Sequence, residues 1–334
     1  MIKASRVLAV LRPLLNIRIG ALVLVLIGNW LLFPDFFDLS MQDGRLFGSL
    51  VDVLNRGAPV AILAIGMTPV IATRGVDLSV GAIMAVAGAV AATLVVSGFP
   101  VWIVVPGALL VGLLCGLWNG FLVAVLDIQS IIATLVLMVA GRGIAQLITE
   151  GSIVTFDDPW LTYLGTGTVL GLPMAAVIMV VLMAAAILVL RCTALGLFVE
   201  AIGVNPAAAR YAGLHSKAVI LLVYGFCGFC AGIAGVLAAA DIRGADANNA
   251  GLWLELDAIL AVVIGGTSLL GGRFSIALSV VGAMIIQAMN TGILVSGFAP
   301  EFNLIVKASV IIVILILQSD RIVALVRRNA KGLP

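Results

Sequence analysis

Sixteen carboxylates, one histidine and four cysteines are the residues of this 334-residue chain that could first be asked to do acid–base, thiol or metal chemistry. They assemble no enzyme site. His215 stands alone, and no GxxxxGK(S/T) phosphate loop, HExxH or GxSxG motif occurs, so the chain has no means of its own to hydrolyse ATP. Cys227 and Cys230 spell CxxC, but inside an apolar run where i and i+3 share a helix face. With no further His or Cys nearby, they read as small core residues before a metal or redox pair. Asp157 and Asp158 are adjacent beside Pro159 and read as a solvated turn, not as the paired carboxylates of a membrane enzyme.

The polar residues that remain are of a different kind. Asn119, Gln287 and Asn290 are isolated on apolar runs, where an amide either lines a polar passage or bonds helix to helix. Glu255 and Asp257 stand at the mouth of another such run, and Asp77, followed by Leu78 and Ser79, opens a third. Carboxylates are favoured by about 0.3 to 1 kcal/mol at the positive amino end of a helix, so all three fit the start of a short helix. These six residues are the candidates for a translocation pathway. Their caps would hold half-helices that shift as a cavity alternates. Asp246, Asn248 and Asn249, in the polar stretch just before Glu255, are candidates for contact with an outside partner.

The elements that must position them are membrane helices. Hydrophobic residues make up 63% and charged residues 10% of the chain, with a mean hydropathy of +1.28. Residues 78–126 carry no charge, enough for two crossings of roughly 20 residues each. A net charge of +2 excludes nucleic acid as a partner and leaves the lipid bilayer. The chain reads as an all-α integral membrane protein, because a lipid-exposed backbone must satisfy its own hydrogen bonds. About ten hydrophobic segments are expected, at 14–33, 58–73, 80–97, 101–126, 130–148, 173–190, 218–240, 255–270, 274–295 and 303–319, making eight to ten transmembrane helices within one domain, 1–334. The first reads as an uncleaved anchor, since no small-residue cleavage site follows Trp30 to Phe33.

Placing both termini in the cytoplasm puts Lys3, Arg6, Arg12, Arg18, Arg74, Arg191, Arg210, Lys217, Arg273 and the basic carboxy-terminal tail inside. Only Arg45, Arg56 and Arg243 then fall in outer loops, as the positive-inside rule requires. The outer loops are 34–57, 150–172 and 241–254. Segments 58–73, 80–97 and 255–270 are short. Pro59 and Pro69 flank the first, and Gly265, Gly266, Gly271 and Gly272 close the last; interrupted helices of this kind line transport pathways. "DLSVGAIMAVAG" and "ELDAILAVVIGG" share a pattern of acid, Leu and a Gly eleven positions on, though a repeat this short also arises by chance. Gly112, Gly116 and Gly120, with Gly225, Gly228, Gly232 and Gly235, predict close helix contacts. Arg142 is expected to snorkel or pair near Glu150, and Lys307 to snorkel.

Between the sixth and seventh segments lies an amphipathic cytoplasmic loop, 191–217, containing "EAIGVNPAAARYAG". Asn205 followed by Pro206 reads as N-cap and first turn of a short helix that stops at Gly213. Such a helix is either a connector lying on the membrane face or a docking element.

This loop resembles the coupling loop of importer permeases of the ATP-binding-cassette superfamily. "GVDLSVGAIMAVAG", "ELDAILAVVIGGTSLLGG" and "GAMIIQAMNTGILVSG" are similar to the permeases of ribose, xylose, arabinose and galactose importers, and "QDGRLF", "AGRGIAQLI" and "MNTGILVSGF" look most like a galactofuranose importer permease. The resemblance implies a non-catalytic pathway subunit of the bacterial inner membrane. It implies a separate ATPase that binds ATP and magnesium, so that this chain needs no cofactor, a second and different permease, and a periplasmic sugar-binding protein that selects the sugar. Glu200, Ala201, Gly203, Asn205, Ala208, Arg210 and Gly213 would meet the ATPase. An ion-coupled secondary transporter is the alternative, and it wants mid-membrane charge, which is scarce here. One departure stands out: where such permeases usually read Thr-Gly-Gly before Asp-Leu-Ser, this chain has Thr73, Arg74 and Gly75.

Overall fold

A computed structural model describes residues 22–23, 25–31, 39–42, 45–295, 304–306 and 308–309. Within them the long helices are α1 (Ser49–Ala72), α2 (Val80–Val96), α3 (Val101–Ala124), α4 (Ser130–Ile148), α6 (Met174–Cys192), α9 (Ser216–Ile242) and α11 (Ile276–Val295). Shorter helices are α5 (Pro159–Thr166), α7 (Leu195–Val204), α8 (Pro206–Tyr211) and α10 (Leu254–Ile264). Three antiparallel pairs of very short strands join loops: β1 (Ser40–Gln42) with β2 (Arg45–Phe47), β3 (Val154–Thr155) with β6 (Gly244–Ala245), and β4 (Thr168–Val169) with β5 (Leu172–Pro173). The β3–β6 pair, with Val154 opposite Ala245, brings two of the expected outer loops to one end of the molecule.

Six helices, α1, α3, α4, α6, α9 and α11, are long and apolar enough to cross a membrane. The expected count of ten segments is not reached among the described residues. The first and last segments, with Lys307 and the basic residues of both ends, lie wholly or largely outside them. Two boundaries differ from expectation. The segment expected at 58–73 is a full-length helix that begins at Ser49, so Pro59 and Pro69 lie inside it and more than half of the expected outer loop 34–57 is helical or hairpin. Asp52, Asn55 and Arg56 broke the apolar run without breaking the helix. The segment expected at 255–270 ends its helix at Ile264, with Gly265 as C-cap and Gly266 in the left-handed region at φ 84°.

Helices α1, α9 and α11 are largely buried by their neighbours, whereas α3, α4 and α6 show the outside long apolar side chains such as Trp102, Leu114, Val139, Leu147, Val181 and Leu188. That is the expected division in lipid, where outer helices need an apolar outer face and inner ones need close backbone approach. The α3–α9 crossing depends on it. A Cβ on Gly112 would lie 2.6 Å from the Gly228 carbonyl oxygen, one on Gly116 would strike the Tyr224 carbonyl, and one on Gly120 would lie 2.9 Å from Leu221 Cα. Gly235, further along α9, packs in the same way on Met84 of α2. Cys227 and Cys230 are buried free thiols on the α9 face that meets Gly66 of α1.

Candidate functional site

Between α1 and α2 the chain runs for seven non-helical residues, 73–79, and the way α1 ends sets their course. The Gly75 amide donates to the Val70 carbonyl and the Arg74 amide to the Ile71 carbonyl, the paired bonds of a Schellman stop with Arg74 in the left-handed position at φ 68°. Glycine is the residue that takes this conformation freely, and an L side chain there costs about 1 to 2 kcal/mol. The departure at Arg74 thus falls on the one residue of that turn whose backbone favours glycine. Its guanidinium bonds across to another helix, where Nε donates to the Gly203 carbonyl and Nη2 to the Val204 carbonyl, each at 2.6 Å. Those are last-turn carbonyls of α7, at the negative end of its dipole, and charge-assisted bonds of about 1.5 to 3 kcal/mol offset the backbone cost.

Beyond Gly75 the connector is buried or half-buried, and side chains of another helix meet two of its backbone amides. Ser130 Oγ accepts from the Val76 amide at 3.3 Å and Thr134 Oγ1 from the Leu78 amide at 3.1 Å. Asp77 Oδ1 accepts from the Ser79 amide at 2.9 Å and the Ser79 hydroxyl at 2.6 Å, while Asn119 Nδ2 donates to Ser79 Oγ at 2.8 Å and reaches Asp77 Oδ1 at 3.4 Å. Asp77, Ser79 and Asn119 are fully buried. Asp77 therefore shapes the turn before the N-cap Ser79 and does not cap the amides of α2 itself. Irregular backbone at this depth is tolerated only where protein satisfies it, which is what Ser130, Thr134 and Asp77 do for the amides of Val76, Leu78 and Ser79.

Helix α2 begins part-way along its neighbours. A Cβ on Gly141 of α4 would touch Ala82 of α2, and Gly141 stands eleven residues beyond Ser130, about 16 Å along a helix that is about 28 Å long. The start of α10 comes to the same level. Gly251, three residues before Leu254, lies so close to Gly81 that a Cβ on either would collide with the other's backbone. The amino ends of α2 and α10 meet deep in the bundle, the arrangement of discontinuous helices that the short segments predicted. Glu255 Oε2 lies against Gly81, in the first turns of α2 and α10 at once, and Asp257 is buried in the first turn of α10. Both carboxylates thus belong to the first turn of α10, the positive end of its dipole.

Arg142 holds the loop that leads there. It donates to the carbonyls of Ala247 at 3.0 Å and Ala250 at 2.6 Å and lies within electrostatic reach of Glu255 and Asp246, so its partners are on the 246–251 loop and not at Glu150. Gln146, one turn on, donates to Asn248 Oδ1 at 2.8 Å. Asp246 accepts from the amides of Asn248 and Asn249 and from the Asn249 side chain, and that side-chain bond first of all holds its carboxyl below the usual range. The three expected outer-contact residues form one pre-shaped turn tied to α4, with Asn248 and Asn249 exposed and Asp246 half-buried. Gln287 and Asn290 lie apart from this cluster, on α11: Gln287 is buried beside Gly57 of α1 and donates to Thr291 at 3.4 Å. A cavity of 220 Å³ lined by Val111, Cys115, Leu137, Gly141 and Ile144 takes in none of these polar groups.

The 191–217 loop folds as α7 and α8. Asn205 caps α8 as expected, its Oδ1 accepting from the amides of Ala207 at 3.1 Å and Ala208 at 3.0 Å, and Gly213 ends it in the left-handed region. Gly203 faces inward: a Cβ there would strike the Ala72 carbonyl and the Gly272 amide. Glu200 and Ala201 are half-buried or buried, while Asn205, Ala208, Arg210 and Gly213 face out. Sequence reasoning missed Tyr211, 93% exposed, and Val204, 65% exposed, which give this surface its apolar character; a lone Tyr beside Arg210 was the available signal. Asp158, read as a turn, is the N-cap of α5, accepting from the amides of Trp160 and Leu161.

A family model described as "Branched-chain amino acid transport system / permease component" matches residues 49–315. The chain belongs to this permease family. Among curated relatives of this permease, the galactofuranose transporter permease protein of Escherichia coli (strain K12) is 60% identical over 93% of this chain and 91% of its own. The fructose import permease protein of Bifidobacterium longum is 43% identical over 91% of this chain and 87% of its own, and the ribose import permease protein of Escherichia coli (strain K12) is 37% identical over 91% and 92%. No solved structure matches. With six helices able to span, the chain is a multi-pass inner-membrane permease.

Proposed function

We propose that this permease is the pathway subunit of an ATP-driven importer of galactofuranose or a related monosaccharide. Support for the sugar comes from the 60% identity to the galactofuranose transporter permease protein, and support for import over an ion-coupled alternative from relatives named as import permeases. The subunit is non-catalytic; a separate ATPase binds ATP and magnesium, a second, different permease completes the pathway, and a periplasmic binding protein delivers the sugar. The observation that carries the reading is the exposed outer face of α8, joined to α7, whose last two carbonyls are held by Arg74 just past the end of α1. The ATPase grips that segment, and the meeting ends of α2 and α10, with Asp77, Glu255 and Asp257, change position as access alternates. The turn at Asp246, Asn248 and Asn249 receives the loaded binding protein.

Co-purification from solubilised membranes tests the reading. The intact permease is expected to bring down an ATPase subunit, and a variant carrying Ala208→Glu and Tyr211→Asp, both on the exposed face, is expected to lose it. An ATPase equally bound by the variant would remove α8 as the docking element.

A further inference from the structure

We propose that Arg74 is a positioning residue for transport, the tie through which movement of α7–α8 reaches the buried connector and the start of α2; the proposal rests on the pathway-subunit reading. Three segments meet at this point. Ala72, the last residue of α1, accepts through its carbonyl from the Gly272 amide at 2.9 Å, and Gly203 of α7 packs against both. Gly271 fits beside Arg74 because a Cβ there would lie 2.5 Å from Arg74 Cγ and 2.9 Å from the carbonyls of Ala72 and Gly203. Among the described residues of this joint the guanidinium supplies the side-chain hydrogen bonds between segments, and both go to the end of α7. On the other side, Arg74 is followed within three residues by Asp77 and the turn that starts α2.

The two ends of the tie differ in character. At the α7–α8 end Val204 and Tyr211 are exposed, while at the connector end Asp77 and Ser79 are fully buried and the turn is bonded to α3 and α4. A rigid, forked donor holding two successive carbonyls transmits both translation and rotation, which a single contact does not. Glycine at position 74 would make the same turn with less backbone strain, yet would leave the carbonyls of Gly203 and Val204 without this donor. The side chain at this site therefore serves the joint between segments, not the turn.

The test uses the whole importer reconstituted in liposomes, with sugar taken up and ATP hydrolysed measured together. Arg74→Gly is expected to assemble and melt close to the parent, the lost bonds being offset by relieved backbone strain, and to keep basal hydrolysis, while sugar moved per ATP falls by about 2- to 30-fold, the range in which residues along a coupling route act. Arg74→Lys, a single-point cation, is expected to fall between the two. An unchanged ratio in Arg74→Gly overturns the proposal. Should Arg74→Gly fail to assemble, Arg74→Lys decides, a lowered ratio supporting the tie and an unchanged one overturning it. Failure of the parent reading is separate, because an intact permease that binds no ATPase overturns both.

Discussion

A polar side chain in a membrane protein's interior is worth keeping only if its partners are present. The Asn119 amide nitrogen has them: Ser79 Oγ at 2.8 Å and Asp77 Oδ1 at 3.4 Å, in a site closed to solvent. Asn119→Ala is expected to lower stability by about 1 to 3 kcal/mol, since it removes two side-chain hydrogen bonds inside a buried site, and thermal melting of the purified permease in detergent measures it. No loss of melting temperature would mean that the connector is held elsewhere. Asn119 was legible as a residue of interest because an amide on an apolar run is rare. Its partners were not, as they lie 40 and 42 residues away in sequence and are brought together only by the crossing of α3 against the connector. Arg142 shows the same division: its charge inside a segment demanded a partner, but the carbonyls that meet it belong to a loop over 100 residues on.

Elements were read best where their ends carry their own chemistry. Asn205–Pro206 started α8 and Gly213 stopped it because cap and left-handed turn are local properties of one or two residues. The start of α1 was misplaced because charge in a first turn interrupts hydrophobicity without opposing a helix. Glycines separate by what faces them, and substitution exposes the difference. Gly228→Ala is expected to cost about 1 to 3 kcal/mol, because its Cβ would lie 2.7 Å from Gly116 Cα and strike the Gly112 carbonyl. Gly143→Ala, in α4 with nothing within 4 Å, is expected to be neutral or to gain up to about 1 kcal/mol from helix propensity. Parallel melting curves compare them, and equal effects would deny that the α3–α9 crossing is set by backbone approach.

At the scale of the whole molecule, α2 and the short α10 start deep in a bundle of longer helices, with one approach from each end. The connector 73–79 comes from the end where α7 and α8 lie, and the loop 243–253 from the end where β3 pairs with β6. Arg142 decides the second approach. Arg142→Gln is expected to raise amide exchange across 246–251 and to reduce stimulation of ATP hydrolysis by the binding protein, while basal hydrolysis of the assembled importer stays. Exchange unchanged in that loop would show that Gln146 and the Asp246 turn hold it without the guanidinium.

Composition and spacing were enough to establish a helical membrane protein, the absence of an ATP-hydrolysing motif, the short capped helix α8 and the acids at short-helix starts, because hydrophobicity, caps and missing motifs are properties of neighbouring residues. The extent of α1, the true partners of Arg142, the inward face of Gly203 and the joint at Arg74 required the fold. Each depends on which carbonyl or glycine from a distant segment arrives within bonding distance, and that is settled by helix crossings that no local pattern encodes.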